Sequence, residues 1–85
     1  GLISERAIVR LVRLIQYYRD RDGTCPQIEG DCLNFQVTYY QIARSIGISY
    51  EECVRLFHQL NDIVIYKRGG KIIVKDWGKL ELVIK

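Results

Sequence analysis

The chain has 85 residues, 48% hydrophobic and 27% charged, with a formal net charge of +3 and a pI near 8.9. A chain this short buries only about 60% of its unfolded surface, which suffices for one thin-cored domain and leaves little for a deep catalytic cleft. The composition excludes a disordered polymer, the mild positive charge suits a polyanionic partner without requiring one, and no apolar run approaches the roughly 20 residues of a membrane span.

The three cysteines, Cys25, Cys32 and Cys53, are odd in number and widely spaced. They fit neither a disulfide framework nor a Cys-x-x-Cys metal pair. No segment reads as a signal peptide, and a reducing cytoplasm is the expected setting. Gly1 reads as a tag remnant, and residues 1–85 as a single domain cut from something longer.

In chain order, Ser4 is a predicted N-cap, with Glu5 favourably placed for the helix dipole. A helix is expected from there to about Arg19, because Ala7, Ile8, Leu11, Leu14, Ile15 and Tyr18 recur at helical spacing. Val9 and Val12 add a second apolar flank, leaving a polar stripe of Arg6, Arg10, Arg13 and Tyr17. A surface helix needs one apolar face. This one is either wrapped by its own domain or keeps a face for a missing domain or a twin subunit. Asp22-Gly23 closes it, Thr24 to Asp31 reads as a loop around the only proline, Pro26, and Cys32 to Val37 as a short strand. Cys25 and Cys32 stand at the two ends of that loop as ordinary thiols, although a redox pair is conceivable.

The stretch TYYQIARSIGISYEECVRLFHQL, Thr38 to Leu60, holds two Ser/Thr-x-x-Glu/Gln capping boxes, Thr38 with Gln41 and Ser49 with Glu52. Gly47 between them marks a sharp corner with positive φ. The result is two short helices joined by a tight turn, a helix-turn-helix. Ile42, Ala43 and Ile46 form the inner face of the first helix, Ile48 fills the turn, and Cys53, Leu56, Phe57 and Leu60 line the second. Asn61 is placed to end that helix in a left-handed conformation. Ile63 to Tyr66 and Ile72 to Val74 are β-rich runs around the basic glycine turn Lys67-Arg68-Gly69-Gly70-Lys71, which predicts a hairpin. Asp76 and Gly78 mark a break before a short apolar tail, Leu80 to Ile84. The fold class is therefore α+β, a winged helix-turn-helix: a long N-terminal helix, a short strand, a two-helix unit and a β-hairpin wing.

Such an architecture points to duplex DNA, held through phosphates and read through base edges. The outward residues of the second helix, about residues 50–60, are Tyr50, Glu51, Val54, Arg55 and His58. Arg55 can fork onto guanine, and Glu51 can accept from cytosine or orient Arg55 one turn on. Phosphate contacts are expected from Ser49, Tyr39 or Tyr40, the helix-start amides, and the wing, about residues 66–72, through Lys67, Arg68 and Lys71. His58 is a surface residue that can face phosphate. An enzyme is not expected: His58 is the only histidine, it points away from Cys53, and there is no phosphate loop, carboxylate pair or metal-ligand cluster. The alternative function is a winged helix used only for protein docking, with the apolar first helix as its contact.

These residues resemble the C-terminal DNA-binding domain of the Crp/Fnr family of bacterial transcription regulators, from about Ile8 to Leu80. The similarity is most specific in the Thr38–Leu60 stretch. It extends to the wing segment RGGKIIVKDWGKL, and to RAIVRLVRLIQYY, which is similar to the helix after that family's dimerisation helix. The resemblance implies that Glu51 and Arg55 occupy base-reading positions and that Thr38, Tyr39, Tyr40, Ser49 and Glu52 occupy phosphate positions. Tyr50 stands where the family often has a base-reading arginine, Glu52 where it often has threonine, and Val64 where it often has a polar residue or glycine at the end of the reading helix. The resemblance further implies double-stranded DNA with a two-fold-symmetric operator as partner, a homodimer, and RNA polymerase as a candidate partner of a full-length protein. An effector-sensing part and dimer helix would then precede Gly1 and pack on the first helix. No cofactor is expected in the domain itself.

Overall fold

The computed structural model describes residues 6–85, which form α1 (Ala7–Asp22), β1 (Thr24–Gln27), β2 (Gly30–Leu33), α2 (Tyr39–Ile46), α3 (Tyr50–Gln59), β3 (Val64–Lys67), β4 (Lys71–Val74) and α4 (Trp77–Val83). The four strands make one antiparallel sheet in the order β1-β2-β4-β3. The predicted cap at Ser4 and its neighbour Glu5 lie outside the described residues; α1 is instead preceded by an extended Arg6 with no side-chain cap bond.

α1 runs three residues beyond the expected Arg19, to Asp22, and Gly23 closes it with φ 80° while its amide returns to the Arg19 carbonyl. The side-chain amide of Asn34 donates to the Asp22 carbonyl at 3.0 Å, so the loop after β2 satisfies one of the carbonyls that a helix end leaves open. Arg19 and Arg21 extend this anchoring, Arg19 over the Trp77 ring and Arg21 over Phe35, each 4.6 Å from the centroid. Both apolar flanks of α1 are used within the domain. Leu11, Val12, Ile15 and Tyr18 enter the core, and Ala7, Ile8 and Leu14 pack against it. α1 also meets α4, which the sequence pattern presents as a tail. Asp76, read as a break, is its N-cap and accepts the Lys79 amide at 3.0 Å. Leu80 of α4 is fully buried, Glu81 accepts from Gln16 of α1, and Trp77 donates to Asp31 of β2 at 2.9 Å. α1 therefore packs largely within its own domain, with Ile8 and Leu14 left half-buried.

The segment Thr24–Asp31 is not a loop, and the strand expected over Cys32–Val37 ends at Leu33. Together they form the hairpin β1–β2, paired from Thr24↔Leu33 to Gln27↔Gly30, and β2 continues the sheet through Asp31↔Val74 and Cys32↔Ile73. These strands carry a proline, a glycine and little apolar alternation, so nothing local marks them. The pairing with β4 holds them. Pro26 is tolerated because β1 is an edge strand.

Between Val37 and Leu60 the chain folds as its caps dictate. Thr38 accepts the Gln41 amide at 3.1 Å, and the Gln41 side chain accepts the Thr38 amide at 2.8 Å, a complete reciprocal box. Gly47 takes φ 74° and ψ 39°, and its amide and that of Ile48 both return to the Ala43 carbonyl. The second box is half formed. Ser49 accepts the Glu52 amide at 3.1 Å, but the Glu52 carboxylate turns outward to Arg55. α3 then ends at Gln59 with Leu60 as its C-cap, and no described non-glycine residue has positive φ, so Asn61 does not close it in a left-handed turn. Val64 is the buried first residue of β3, four residues past that cap, and is no part of the reading helix. Replacing Thr38 with alanine removes the hydroxyl that accepts the Gln41 amide and leaves only the backbone half of the box. We expect a loss of about 1 kcal/mol, read as a melting midpoint lowered by roughly 4–8 °C.

The wing is the β3–β4 hairpin, registered from Val64↔Val74 to Lys67↔Lys71. It is docked onto the start of the helix-turn-helix. The Val37 amide donates to the Gly70 carbonyl at 2.9 Å, and the Tyr66 hydroxyl donates to the Val37 carbonyl at 3.0 Å.

Candidate nucleic-acid interface

Three chain segments that offer positive potential start from one neighbourhood. α2 begins at Tyr39, α3 at Tyr50, and the wing carries Tyr66 on β3. These tyrosines join the segments. Tyr39 stacks on Tyr66 with centroids 3.9 Å apart and meets Tyr50 edge-on at 5.8 Å, while Tyr40 packs on Tyr50 at 4.7 Å. Phe57 closes the group from the core side, 5.5 Å from both Tyr39 and Tyr66. Burial raises the hydroxyl pKa of Tyr39 and Tyr66, so both remain neutral donors at ordinary pH. The amide-rich N-termini of two helices and the basic hairpin are thus held at fixed relative positions by aromatic contact.

On α3 the outward residues are as the spacing requires: Tyr50, Glu51, Arg55 and His58 are exposed and Val54 is half-buried. Ser49, Glu51, Glu52 and Arg55 border one shallow cleft at the helix start. Within it Arg55 is 65% exposed and pairs with Glu52 at 3.3 Å, one residue away from the expected partner Glu51. Both carboxylates lie within a turn of Arg55 on a helix, three or four residues before it, so either can engage it. An exposed pair of this kind is worth only a few tenths of a kcal/mol, so Arg55 exchanges it readily for a base or phosphate. Glu51 is left outward, available to a base amino group.

The phosphate candidates divide. Tyr40, 68% exposed, Ser49 and Thr38 stand at the surface, with the two hydroxyl oxygens already accepting cap bonds and their protons free to be donated onward. Tyr39 is half-buried in the aromatic group and offers little beyond its hydroxyl. Glu52 is committed to Arg55 and to no cap of its own. His58 lies past the cleft, toward the C-terminus of α3 beside Asn61 and Ile65. Of the wing cations, Arg68 and Lys71 are exposed, whereas Lys67 forms an ion pair with Glu29 at the β1–β2 turn. Sequence reasoning missed Glu29, which lies 38 residues from its partner and carries no local signal. It also missed Arg10, whose Nε donates to the Ile46 carbonyl at 2.9 Å, placing a cation on the C-terminal end of α2. Cys53 is fully buried and its thiol is pushed up to about 11 by desolvation, which removes it as a nucleophile. Among the described residues no group of three or more His, Cys, Asp or Glu is arranged to hold a metal ion.

A two-helix corner with an exposed second helix and a basic hairpin beside it defines a winged helix-turn-helix domain. The Crp-like helix-turn-helix domain family matches residues 5–83, and the chain belongs to that family, DNA-binding domains of transcription regulators. Solved structures agree in fold. A CooA mutant from Carboxydothermus hydrogenoformans superposes with a TM-score of 0.84 at 20% identity, over 100% of this chain and 39% of that one. Oxidised CprK in complex with o-chlorophenolacetic acid gives 0.77 at 18% identity, over 94% and 34%. A Crp-family transcriptional regulator from Thermus thermophilus gives 0.79 at 14%, over 95% and 41%. The chain therefore spans 34–41% of the length of these proteins. No curated protein matches it.

Proposed function

We propose that the domain reads a specific duplex DNA sequence with α3 in the major groove while the wing grips the adjacent backbone. The observation that carries this is the tyrosine group, which holds the starts of α2 and α3 and the strand leading to the wing tip in one rigid arrangement. Tyr50, Glu51, Val54 and Arg55 are the base-reading residues. Thr38, Tyr40, Ser49, Arg68 and Lys71 contact phosphate, with Tyr39, His58 and Lys67 in reach at the margins and Glu52 acting through Arg55. The domain acts without catalysis and without a cofactor of its own. In a longer cytoplasmic protein it serves as the output of an effector-sensing part, as a homodimer on a two-fold operator whose half-sites lie about one helical turn apart. RNA polymerase is the further partner such a regulator would need at a promoter.

The test is Arg55→Ala against a selected operator and its single-base-pair variants, followed by fluorescence anisotropy. Binding is expected to weaken by about 1–3 kcal/mol, with discrimination lost at one base pair. Unchanged affinity and unchanged preference would remove Arg55 from the base-reading set. The rival reading, a docking module that contacts its partner through α1, finds less support because Leu11, Val12 and Ile15 are buried within the domain. Random duplex DNA separates the two: steeply salt-dependent binding supports DNA reading, and no binding at low salt supports docking.

A further inference from the structure

The hairpin β1–β2 contains a pair of groups that DNA reading does not use. Cys25 and Cys32, seven positions apart in the chain, are directly opposite each other in its register. The phase of the ladder follows from one bond just outside it, from the Asn34 amide to the Gly23 carbonyl at 3.1 Å. Antiparallel pairs alternate, so Cys25↔Cys32 is a hydrogen-bonded pair like Gly23 and Asn34, while Thr24↔Leu33 and Pro26↔Asp31 are not. Pro26, which has no amide hydrogen, falls where the ladder needs none. Directly opposite side chains leave the same face of a strand pair. The Cα atoms of a hydrogen-bonded pair stand about 5.5 Å apart, within the range of about 4.4–6.8 Å that a disulfide spans.

The two thiols differ in access. Cys25 is exposed on the edge strand, and Cys32 behind it is 7% exposed, between Cys25 and Ile73 of β4. One is placed to meet a reagent from solvent, the other to resolve the product from within. We infer that Cys25 and Cys32 form a reversible thiol–disulfide site whose co-reactant is a low-molecular-weight disulfide of the glutathione class. The Cys25 thiolate attacks one sulfur of the incoming disulfide, forming a mixed disulfide and releasing the other half, which takes up a proton. The Cys32 thiolate then attacks the Cys25 sulfur and expels the second half as a thiol. Two protein thiols thereby give up two protons and two electrons, and the reagent's S–S bond is reduced to two thiols. The bond closes a hairpin whose β1 is the edge of the sheet among the described residues, and ties that edge to the strand paired with the wing. In a reducing compartment such a bond is transient, which is the usual character of a redox-responsive pair.

The experiment exposes the full chain to oxidised glutathione, blocks remaining thiols with an alkylating reagent, and measures intact mass and melting. The expected product has lost two hydrogens, carries no glutathione, and retains one alkylated site, Cys53, once unfolded. Its midpoint rises by several degrees, and dithiothreitol reverses both changes. Cys25→Ser is expected to abolish the bond, and Cys32→Ser to trap glutathione on Cys25. If Cys32→Ser does not fold, Cys32→Ala serves in its place. A stable glutathione adduct on Cys25 of the unmodified sequence, a Cys25-linked dimer, or thiols left fully reduced would each overturn the inference. None of these readouts involves DNA, so their failure leaves the proposed DNA reading standing.

Discussion

Replacing Lys67, Arg68 and Lys71 together with alanine is expected to weaken binding to every duplex sequence alike, on the order of tenfold or more at moderate salt, because phosphate contacts carry no sequence information. The plot of log affinity against log salt should flatten by about 0.9 for each phosphate no longer neutralised. The three residues should not contribute equally. Lys67 and Lys71 are directly opposite across the wing, an arrangement that costs stability unless something relieves it. Glu29 supplies that relief by pairing with Lys67. Lys67 therefore reaches DNA already compensated, and Lys67→Ala should change the salt slope less than Arg68→Ala or Lys71→Ala. Glu29→Gln should restore the missing dependence and raise affinity at low salt. A titration in which all three single variants flatten the slope equally would show that the Glu29 pairing is irrelevant in solution.

Gly70→Ala is expected to be a strongly damaging change at the wing root, lowering stability by about 3 kcal/mol. Two causes act together. Gly70 has φ 81°, a conformation that an L side chain rarely adopts. A Cβ there would also stand 2.7 Å from the Val37 carbonyl oxygen and 2.9 Å from its nitrogen, both backbone atoms that cannot step aside. Gly69 is the internal control. Its φ is 89°, but nothing lies within 4 Å of a Cβ at that position. Gly69→Ala should therefore show the conformational cost alone, of about 1–2 kcal/mol. Urea unfolding of the two variants separates the terms. Equal losses would mean that the wing root can shift away from Val37.

The helix-turn-helix was legible because its determinants are local. Thr38, Gln41, Gly47 and Ser49 each act within five residues of their own position, through caps and a left-handed turn that depend on side-chain type and little else. The wing was legible for the same reason, its glycines and β-branched runs being adjacent. The hairpin β1–β2 was not, because Asp31 and Cys32 become strand by pairing with Val74 and Ile73, more than forty residues on. α4 escaped notice because Gly78 weakens helix propensity in its interior, and what holds it is the burial of Leu80 and bonds to Gln16 and Asp31. At the site, the outward face of α3 followed from helical spacing alone. The choice between Glu51 and Glu52 as partner of Arg55 did not, since both positions lie one turn away and only the packed helix start decides. The Glu29–Lys67 pair had no signature in either segment.

The bond from Arg10 to the Ile46 carbonyl works as an index mark between α1 and the corner that carries the reading helix. Sliding α1 by a single residue along its axis is a displacement of about 1.5 Å, which would stretch and misalign this 2.9 Å bond. The next residue carbonyl after Ile46 belongs to Gly47, the fixed corner from which α3 departs. Arg10 thus ties the middle of α1 to the end of α2, one residue before the corner that sets the start of α3.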